Sequence, residues 1–417
     1  MYYQGGDAIQ AEAHFLKARN IVEDLYGPDH FLAAQVDGGL ATLYKERAEF
    51  SKARGLHEHV ILVYVALLGP EHPRLIAQYN NLGLCLKELG DLKGARAALE
   101  TALRISEKTN GPEASSTASV LGNLGIALKE SGDFDSARTT YERARAIQEK
   151  RLGPDHALVG AILFSLGSLL ADMGDAANGK QRMERALAIT DKALGPGSVR
   201  GVQIMDQLGQ LLANQKDFKG ARAIFERAWN ESLRVYGENN SHTAAALASL
   251  AGLYAATKDF SGARERYRQA LRVQEHELGP QHYYTLETVF ALARTEQEAG
   301  LYAAALALFE RVSAEWRKQF GELYPSLADS IGHSAECLYR LGRRDEALKA
   351  ALESAIIRRT NIEIATHASG EREALLYAAK ERTGLDLATT GVDGRAAPGV
   401  CKRCLGRGDS RTSVGAG

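Results

Sequence analysis

The chain has 417 residues, a formal net charge of −1, 9 prolines and four cysteines. This charge balance gives no general attraction to nucleic acid or acidic membranes, and so few cysteines argue against a disulfide scaffold. No run of 18 apolar residues occurs and the first residues do not resemble a signal peptide. We therefore expect a cytoplasmic protein without a membrane span.

A period of 42 residues organises most of the chain. In several copies a glycine is followed by proline, an acidic residue and histidine, as in Gly-Pro-Asp-His at 27–30 and Gly-Pro-Glu-His at 69–72. The recurring glycines are Gly27, Gly69, Gly111, Gly153, Gly195, Gly237, Gly279 and Gly321. A fixed period in this range predicts a stacked array of small units, and such arrays present binding surfaces.

One unit, residues 74–115, shows what is repeated. Apolar residues at helical spacing predict a first helix over 75–89, which Gly90 ends. Asp91 caps a second helix that continues to about Lys108, before Asn110-Gly111-Pro112 breaks it. The unit is therefore a helical hairpin with a tight inner turn and a Gly-Pro outer turn.

Small residues recur where the two helices of a hairpin would meet. They occupy one position of the first helix and one position of the second, and a small side chain at such a contact allows close backbone approach. The first set is Ala41, Gly83, Gly125, Gly167, Gly209, Ala251, Ala293 and Ala335, and the second is Ala53, Ala95, Ala137, Ala221, Ala263, Ala305 and Ala347. Gly179 stands where the second set predicts alanine, so we expect less regular packing in that copy.

This pattern, with Leu-Gly in the first helix and alanine early in the second, resembles the tetratricopeptide repeat (TPR). The 42-residue length and the Gly-Pro-Asp-His ending are similar to the repeats of kinesin light chains. The resemblance covers about residues 1–360 and implies an all-α, right-handed superhelical solenoid of antiparallel helix hairpins. It also implies that the first helix of each hairpin lines the concave face.

The sequence divides into four segments. Residues 1–30 hold a partial repeat with only its second helix, which suggests that the chain begins inside a longer protein, and residues 31–360 hold eight hairpins. Residues 361–390 form a terminal helix and junction, which resembles the junction of bacterial proteins that join such repeats to a CHAT domain, a caspase-like peptidase. Residues 391–417 lack a helical period, and they are either a disordered tail or a frame-shifted segment.

The residues that could carry chemistry have simpler explanations. His30, His72, His156 and His282 share one position of the repeat, where a turn or capping role fits better than a metal site. Cys401 and Cys404 form only half of a zinc site. Cys337 follows His333 by one helical turn, but both lie in the helical phase of the array. We therefore predict no enzyme, no cofactor and no metal.

The concave face is the remaining candidate site. The TPR resemblance places polar residues of the first helices there, including a row of lysines spaced by 42. The predicted peptide-binding residues are Gln35, Lys45, Asn80, Lys87, Ser119, Lys129, Phe164, Gln203, Asp206 and Gln210. Amide side chains can bond a peptide backbone, and lysines can pair with carboxylates. The alternative is a solvated charged rim, since Glu46, Glu88 and Glu130 come next in sequence.

These observations predict a scaffold that binds a protein or extended peptide and neither nucleic acid nor a membrane. The row of lysines makes an acidic partner one candidate. The leading version is the sensor or regulatory arm of a TPR–CHAT protein that lacks its peptidase. The alternative is a free-standing adaptor similar to a kinesin light chain.

Overall fold

The computed structural model describes residues 5–368, and this part of the chain is built from seventeen α-helices with no strand. A single helix, α1 (Gly5–Tyr26), precedes eight antiparallel hairpins, numbered here 1 to 8. The first helices of the hairpins are α2 (Phe31–Glu46), α4 (Arg74–Glu88), α6 (Ser115–Glu130), α8 (Ala157–Asp172), α10 (Val199–Asn214), α12 (Ser241–Ala256), α14 (Tyr283–Glu298) and α16 (Pro325–Arg340). The second helices are α3 (Phe50–Leu68), α5 (Leu92–Thr109), α7 (Phe134–Leu152), α9 (Ala176–Leu194), α11 (Phe218–Tyr236), α13 (Phe260–Glu277), α15 (Tyr302–Phe320) and α17 (Arg344–Ala368). The predicted all-α solenoid of helical hairpins is confirmed.

Aspartates cap the second helices as the sequence predicts. The carboxylate of Asp91, for example, accepts a hydrogen bond from the backbone N–H of Gly94 at 2.8 Å, and the same bond recurs in four further hairpins. The other capping residues are Asp133, Asp175, Asp217 and Asp259. Leu301 occupies this position in hairpin 7 and makes no side-chain cap. Such a cap contributes about 1 kcal/mol.

Histidines cap the first helices, which confirms the capping role predicted for them. Nδ1 of each accepts a hydrogen bond from the backbone N–H two residues later, at 3.2–3.3 Å, in His30, His72, His156 and His282. Asn240 makes the same bond to His242 at 2.9 Å. The Gly-Pro-Asp-His ending is thus explained by helix initiation.

The inner turn of every hairpin needs one residue with positive φ. Five hairpins place glycine there, such as Gly90 (φ 83°) and Gly132 (φ 85°). Ala48, Lys216 and Lys258 occupy the same position with φ between 58° and 64°. Because a Cβ is strained in this region, these three turns store conformational energy.

Close helix contacts explain the recurring small residues. A Cβ added at Gly125 would lie 2.5 Å from the ring of Tyr141 in the second helix of its hairpin. In hairpin 4, a Cβ added at Gly179 would lie only 2.9 Å from the carbonyl oxygen of Gly167. Glycine replaces alanine in this copy because the two backbones meet there, so hairpin 4 departs from the regular contact through this close approach.

The last helix runs past the end predicted for the array. α17 continues from Arg344 to Ala368, whereas the hairpins were predicted to end at residue 360. Glu363 stands where glycine ends the earlier units, so no residue breaks the helix there. The predicted junction helix after Ser369, Cys401, Cys404 and the segment 391–417 lie outside the described residues. No helix within residues 5–368 is both long and apolar enough to cross a membrane.

The two ends of the solenoid touch each other. The Ser51 hydroxyl, just after the inner turn of hairpin 1, donates to the carbonyl of Gln319 in hairpin 7 at 3.2 Å. A Cβ added at Gly90, in the inner turn of hairpin 2, would lie 3.3 Å from Cδ of Pro325, at the start of hairpin 8. Each contact joins hairpins six apart, so about six hairpins complete one turn of the superhelix.

Candidate functional site

The superhelical turn borders a half-open cavity of about 1590 Å³. First helices α8, α10, α12 and α14 contribute its inner wall through Phe164, Gln203, Asp206, Ser249 and Tyr284. The first-helix face is therefore the concave face in this part of the array, as the TPR resemblance implies. The residues Glu46–Lys52 of hairpin 1 close the cavity from the other side.

The cavity wall combines aromatic and polar side chains. Tyr283 packs edge-on against Phe320 with ring centroids 6.1 Å apart, and Phe320 stacks on Tyr324 at 4.4 Å. Val202, Ala245 and Ala246 add apolar surface. A wall of this composition can hold an apolar side chain of a ligand while bonding its backbone.

Two acidic side chains of the concave face lie in surroundings that disfavour their charge. Burial raises the pKa of Asp206, although a hydrogen bond from Ser249 opposes the shift. Its Oδ2 accepts a bond of 2.8 Å from Gln210. Burial likewise raises the pKa of Glu287 to about 7, although a hydrogen bond from Tyr283 opposes the shift.

Two histidines that line the cavity have lowered pKa values. Burial lowers the pKa of His242, and burial also lowers the pKa of His282, which is occupied as a helix cap. These two imidazoles therefore add no positive charge that would offset the acidic side chains.

The predicted lysines are bonded within the protein. Nζ of Lys45 donates to Oδ1 of Asn81 in the next hairpin at 2.8 Å, and burial lowers the pKa of this lysine. Lys129 donates to the hydroxyl of Ser168 at 2.7 Å and pairs with Asp172 at 3.0 Å, again in the next hairpin. The lysines at these two positions join neighbouring first helices.

Lys87 and Gln297 occupy the same position of the repeat as Lys45 and Lys129. Lys87 pairs with the adjacent Glu88 at 2.5 Å, and only 19% of its side chain is exposed. Gln297, which lies 252 residues after Lys45, donates to Glu336 at 2.8 Å and bonds Nδ1 of His333 at 2.9 Å. Hairpin 7 thus makes the same kind of bridge to hairpin 8 with an amide in place of an ammonium.

The structure divides the predicted site residues into two groups. Phe164, Gln203 and Asp206 line the cavity together, and Gln210 supports Asp206 through the bond described above. The other six are absent from the cavity wall: Gln35, Lys45, Asn80, Lys87, Ser119 and Lys129. Asn80 accepts a hydrogen bond of 2.8 Å from Asn123 of the next hairpin, and Ser119 donates to the carbonyl of Ser115.

Several cavity residues could not be predicted from the repeat. Arg47, Phe50, Ser51 and Lys52 belong to the inner turn and second helix of hairpin 1, yet they face the cavity because the superhelix closes. The 42-residue period predicts contacts between adjacent hairpins, whereas this contact joins hairpins that are six units apart. Its position depends on small rotations added over all the intervening hairpins.

The cysteine and metal candidates have structural explanations in the described part of the chain. Burial raises the pKa of Cys337 to about 11, which disfavours the thiolate that a nucleophile needs, and His333 is engaged by Gln297. Among residues 5–368, no three His, Cys, Asp or Glu side chains are grouped to hold a metal ion.

Comparison with protein families matches the chain to the tetratricopeptide repeat. The matched segments are 1–64, 32–108, 74–150, 116–192, 158–230, 202–276, 242–314 and 284–359. A search of curated proteins gives no significant match.

Solved structures with similar folds include repeat proteins of bacteria and a fungus. BtubC (BKLC) from P. vanneervenii is 23% identical, with 55% of this chain and 92% of that chain covered and a TM-score of 0.45. A putative kinesin light chain with nearly identical TPR-like repeats from Podosopora anserina is 22% identical, with 49% and 97% covered and a TM-score of 0.40. PilF from Pseudomonas aeruginosa is 15% identical, with 63% and 97% covered and a TM-score of 0.37.

Proposed function

The chain belongs to the tetratricopeptide repeat family, and we propose that it is a scaffold that binds an extended protein segment in the cavity of its concave face. The observation that carries this proposal is the half-open cavity of about 1590 Å³ on the inner side of the superhelical turn. Of the residues predicted from sequence, Phe164, Gln203 and Asp206 would contact the bound segment.

The shape of the cavity favours a peptide over a flat protein surface. Residues from hairpins 1, 4, 5, 6 and 7 line it, so a ligand inside is surrounded by wall on several sides. Amide side chains on the wall, such as Gln203, Gln207 and Asn240, can bond the backbone of an extended chain. Tyr284 and Phe164 offer surface to its side chains.

The hydrogen bonds and ion pairs of the lysines argue against an acidic partner. Such a partner would have to compete with Asn81 for Lys45 and with Ser168 and Asp172 for Lys129. The bridges between first helices give these lysines a structural role that needs no ligand. We therefore place recognition in the cavity and not along the lysine positions.

A variant that fills the cavity tests this proposal. Ala245 is exposed on the cavity wall in α12, and Ala245→Trp would occupy the space without entering the core. The full chain and this variant are used to capture partners from a lysate of the source organism, followed by mass spectrometry. We expect the variant to lose the partners that the parent captures.

The matched control is Ala223→Trp, which adds the same side chain to an exposed position of a second helix, α11. It should capture the same partners as the parent chain. Equal capture by the parent and both tryptophan variants would contradict a binding site in the cavity.

We propose further that the scaffold serves as the regulatory arm of a TPR–CHAT protein, and that a free-standing adaptor similar to a kinesin light chain is the alternative. The first version depends on the junction resemblance, which lies largely beyond the described residues. Sequencing the gene beyond codon 390 separates the two. An intact peptidase reading frame there supports the regulatory arm, and its absence supports the adaptor.

A further inference from the structure

We propose that the cavity selects a peptide with a lysine or arginine side chain, which pairs with the carboxylate of Asp206. This inference rests on the proposed peptide-binding function and adds the chemistry of the partner. It predicts a basic partner, whereas the row of lysines predicted an acidic one.

The position of Asp206 suits an anchoring role. It lies on α10 one helical turn after Gln203, and both side chains belong to the cavity wall. Phe164 of α8 lines the same wall and can pack against the aliphatic part of a lysine or the face of a guanidinium. A cationic side chain would therefore find a carboxylate and an aromatic ring in one pocket.

The carboxylate of Asp206 has no cationic partner within the described residues. Gln210 donates to Oδ2 at 2.8 Å, and a hydrogen bond from Ser249 partly opposes the rise in the pKa of Asp206 that burial causes. None of the ion pairs within residues 5–368 includes Asp206. Because burial disfavours the charged form of this half-buried side chain, a ligand cation beside the carboxylate would be stabilised.

The remaining charges of the cavity wall also favour a cation. Its two cationic residues, Arg47 and Lys52, are both held by Glu49, and Arg47 also pairs with Glu12. Glu46 interacts electrostatically with its neighbour Lys45, and Glu277 pairs with His276 at 3.3 Å, whereas Asp206 belongs to none of the ion pairs within the described residues. The wall carries more acidic side chains than lysine and arginine side chains, so a cationic ligand complements it.

The first test is selection of peptides. Random peptides of about 12 residues displayed on phage are selected against the full parent chain, Asp206→Asn and Glu298→Gln. Glu298 is an exposed acidic residue of the first helix α14, outside the cavity wall, so its variant removes the same charge elsewhere on the concave side. Circular dichroism confirms that all three chains are folded.

We expect peptides selected on the parent and on Glu298→Gln to carry lysine or arginine at one fixed position, and those selected on Asp206→Asn to lack this preference. A peptide synthesised from the selected sequence should bind Asp206→Asn at least about 10-fold more weakly than the parent. Replacing its basic residue with norleucine should weaken binding to the parent but cause no further loss on Asp206→Asn, because the two changes remove one interaction.

The outcomes separate this inference from the function on which it rests. Selected peptides without a basic position, or equal losses from the norleucine change on both chains, would overturn the cationic anchor and leave peptide binding intact. Selection of no peptide on any of the three chains would overturn both.

Discussion

The concave faces of hairpins 1–3 and hairpins 4–6 use the same position of the repeat in different ways. In the first group this position holds Lys45, Lys87 and Lys129, and two of these bond the next hairpin directly. In the second group it holds Ala171, Ala213 and Ala255, which pack against the core. First helices of the second group contribute to the cavity wall, whereas those of hairpins 2 and 3 do not. The same repeat position therefore connects neighbouring hairpins in the first group, whereas the proposed binding cavity lies beside the second group.

The largest effect should come from the helix contact that distinguishes hairpin 4. We expect Gly179→Ala to destabilise the protein by about 2–3 kcal/mol, because its Cβ would lie 2.9 Å from the carbonyl oxygen of Gly167 and backbone cannot move aside cheaply. Urea unfolding followed by circular dichroism measures the change.

The control for Gly179 is Gly55→Ala in the second helix of hairpin 1, where nothing lies within 4 Å of the added Cβ. That substitution should stabilise the helix by up to about 1 kcal/mol. If both alanine variants behaved alike, the special contact of hairpin 4 would be ruled out.

Glu287 tests how burial on the concave face changes along the array. It occupies the repeat position of Gln35, which is exposed in hairpin 1. The pKa of Glu287 in the folded protein is raised to about 7 from an ordinary value of 4.5, so folding favours its neutral form. The stability that this group contributes is present below about pH 4.5 and is lost as the pH rises through 7.

We therefore expect Glu287→Gln to be more stable than the parent at pH 8, by on the order of 1–2 kcal/mol, and equally stable at pH 4.5. Thermal melting at several pH values measures the difference. Glu298 of the same helix, whose side chain is exposed, provides the control, and Glu298→Gln measures the effect of removing a carboxylate that is not buried. A pH-independent difference for Glu287→Gln would contradict the burial of its carboxyl group.

Substitutions in the inner turns should change the stability of the protein in opposite directions. Lys216 and Lys258, in hairpins 5 and 6, hold φ values of 64° and 63°, which glycine adopts without strain. We expect Lys216→Gly and Lys258→Gly each to stabilise the protein by about 0.5–1 kcal/mol. The reverse change in hairpin 3, Gly132→Lys, should destabilise it by a similar amount. Melting temperatures that move in the same direction for all three would contradict the turn geometry.

The smallest effect concerns the bridge from hairpin 3 to hairpin 4. We expect Lys129→Met to destabilise the protein by about 0.2–1 kcal/mol, because its pair with Asp172 is partly exposed. A double-mutant cycle with Asp172→Asn isolates the pair. Partner capture should be unchanged. A loss of binding without a loss of stability would show that the lysines take part in recognition.

The hairpins themselves were predictable because each rests on local rules. The spacing of apolar residues, the caps at Asp91 and His30 and the small residue at Gly125 each act within one unit, and repetition showed them several times. α17 continues past residue 360, where the period predicts the end of the array, because no breaker occupies position 363. Gly179 predicted less regular packing, but the sequence does not show how closely the two backbones approach there.

The candidate site was less predictable. Sequence placed Phe164, Gln203 and Asp206 on the concave face, and they lie together on the cavity wall. The partners of Lys45 and Lys129 could not be predicted from the pattern. Asn123 repeats the position of Asn81 but bonds Asn80, and Ser168 has no equivalent serine in the neighbouring hairpins. The contribution of Ser51 and its neighbours depends on the pitch of the superhelix, which sums small angles over many hairpins.

The contact between Ser51 and Gln319 also bears on how the chain unfolds. In an open array each unit touches only its neighbours, so the terminal units fray first and the rest follow in steps. Here a bond spans 268 residues and couples hairpin 1 to hairpin 7. Opening either end must break this coupling, which raises cooperativity and makes the last stage of folding a slow search for a distant partner. Amide hydrogens at the inner turn of hairpin 1 should therefore exchange more slowly than its terminal position alone would allow.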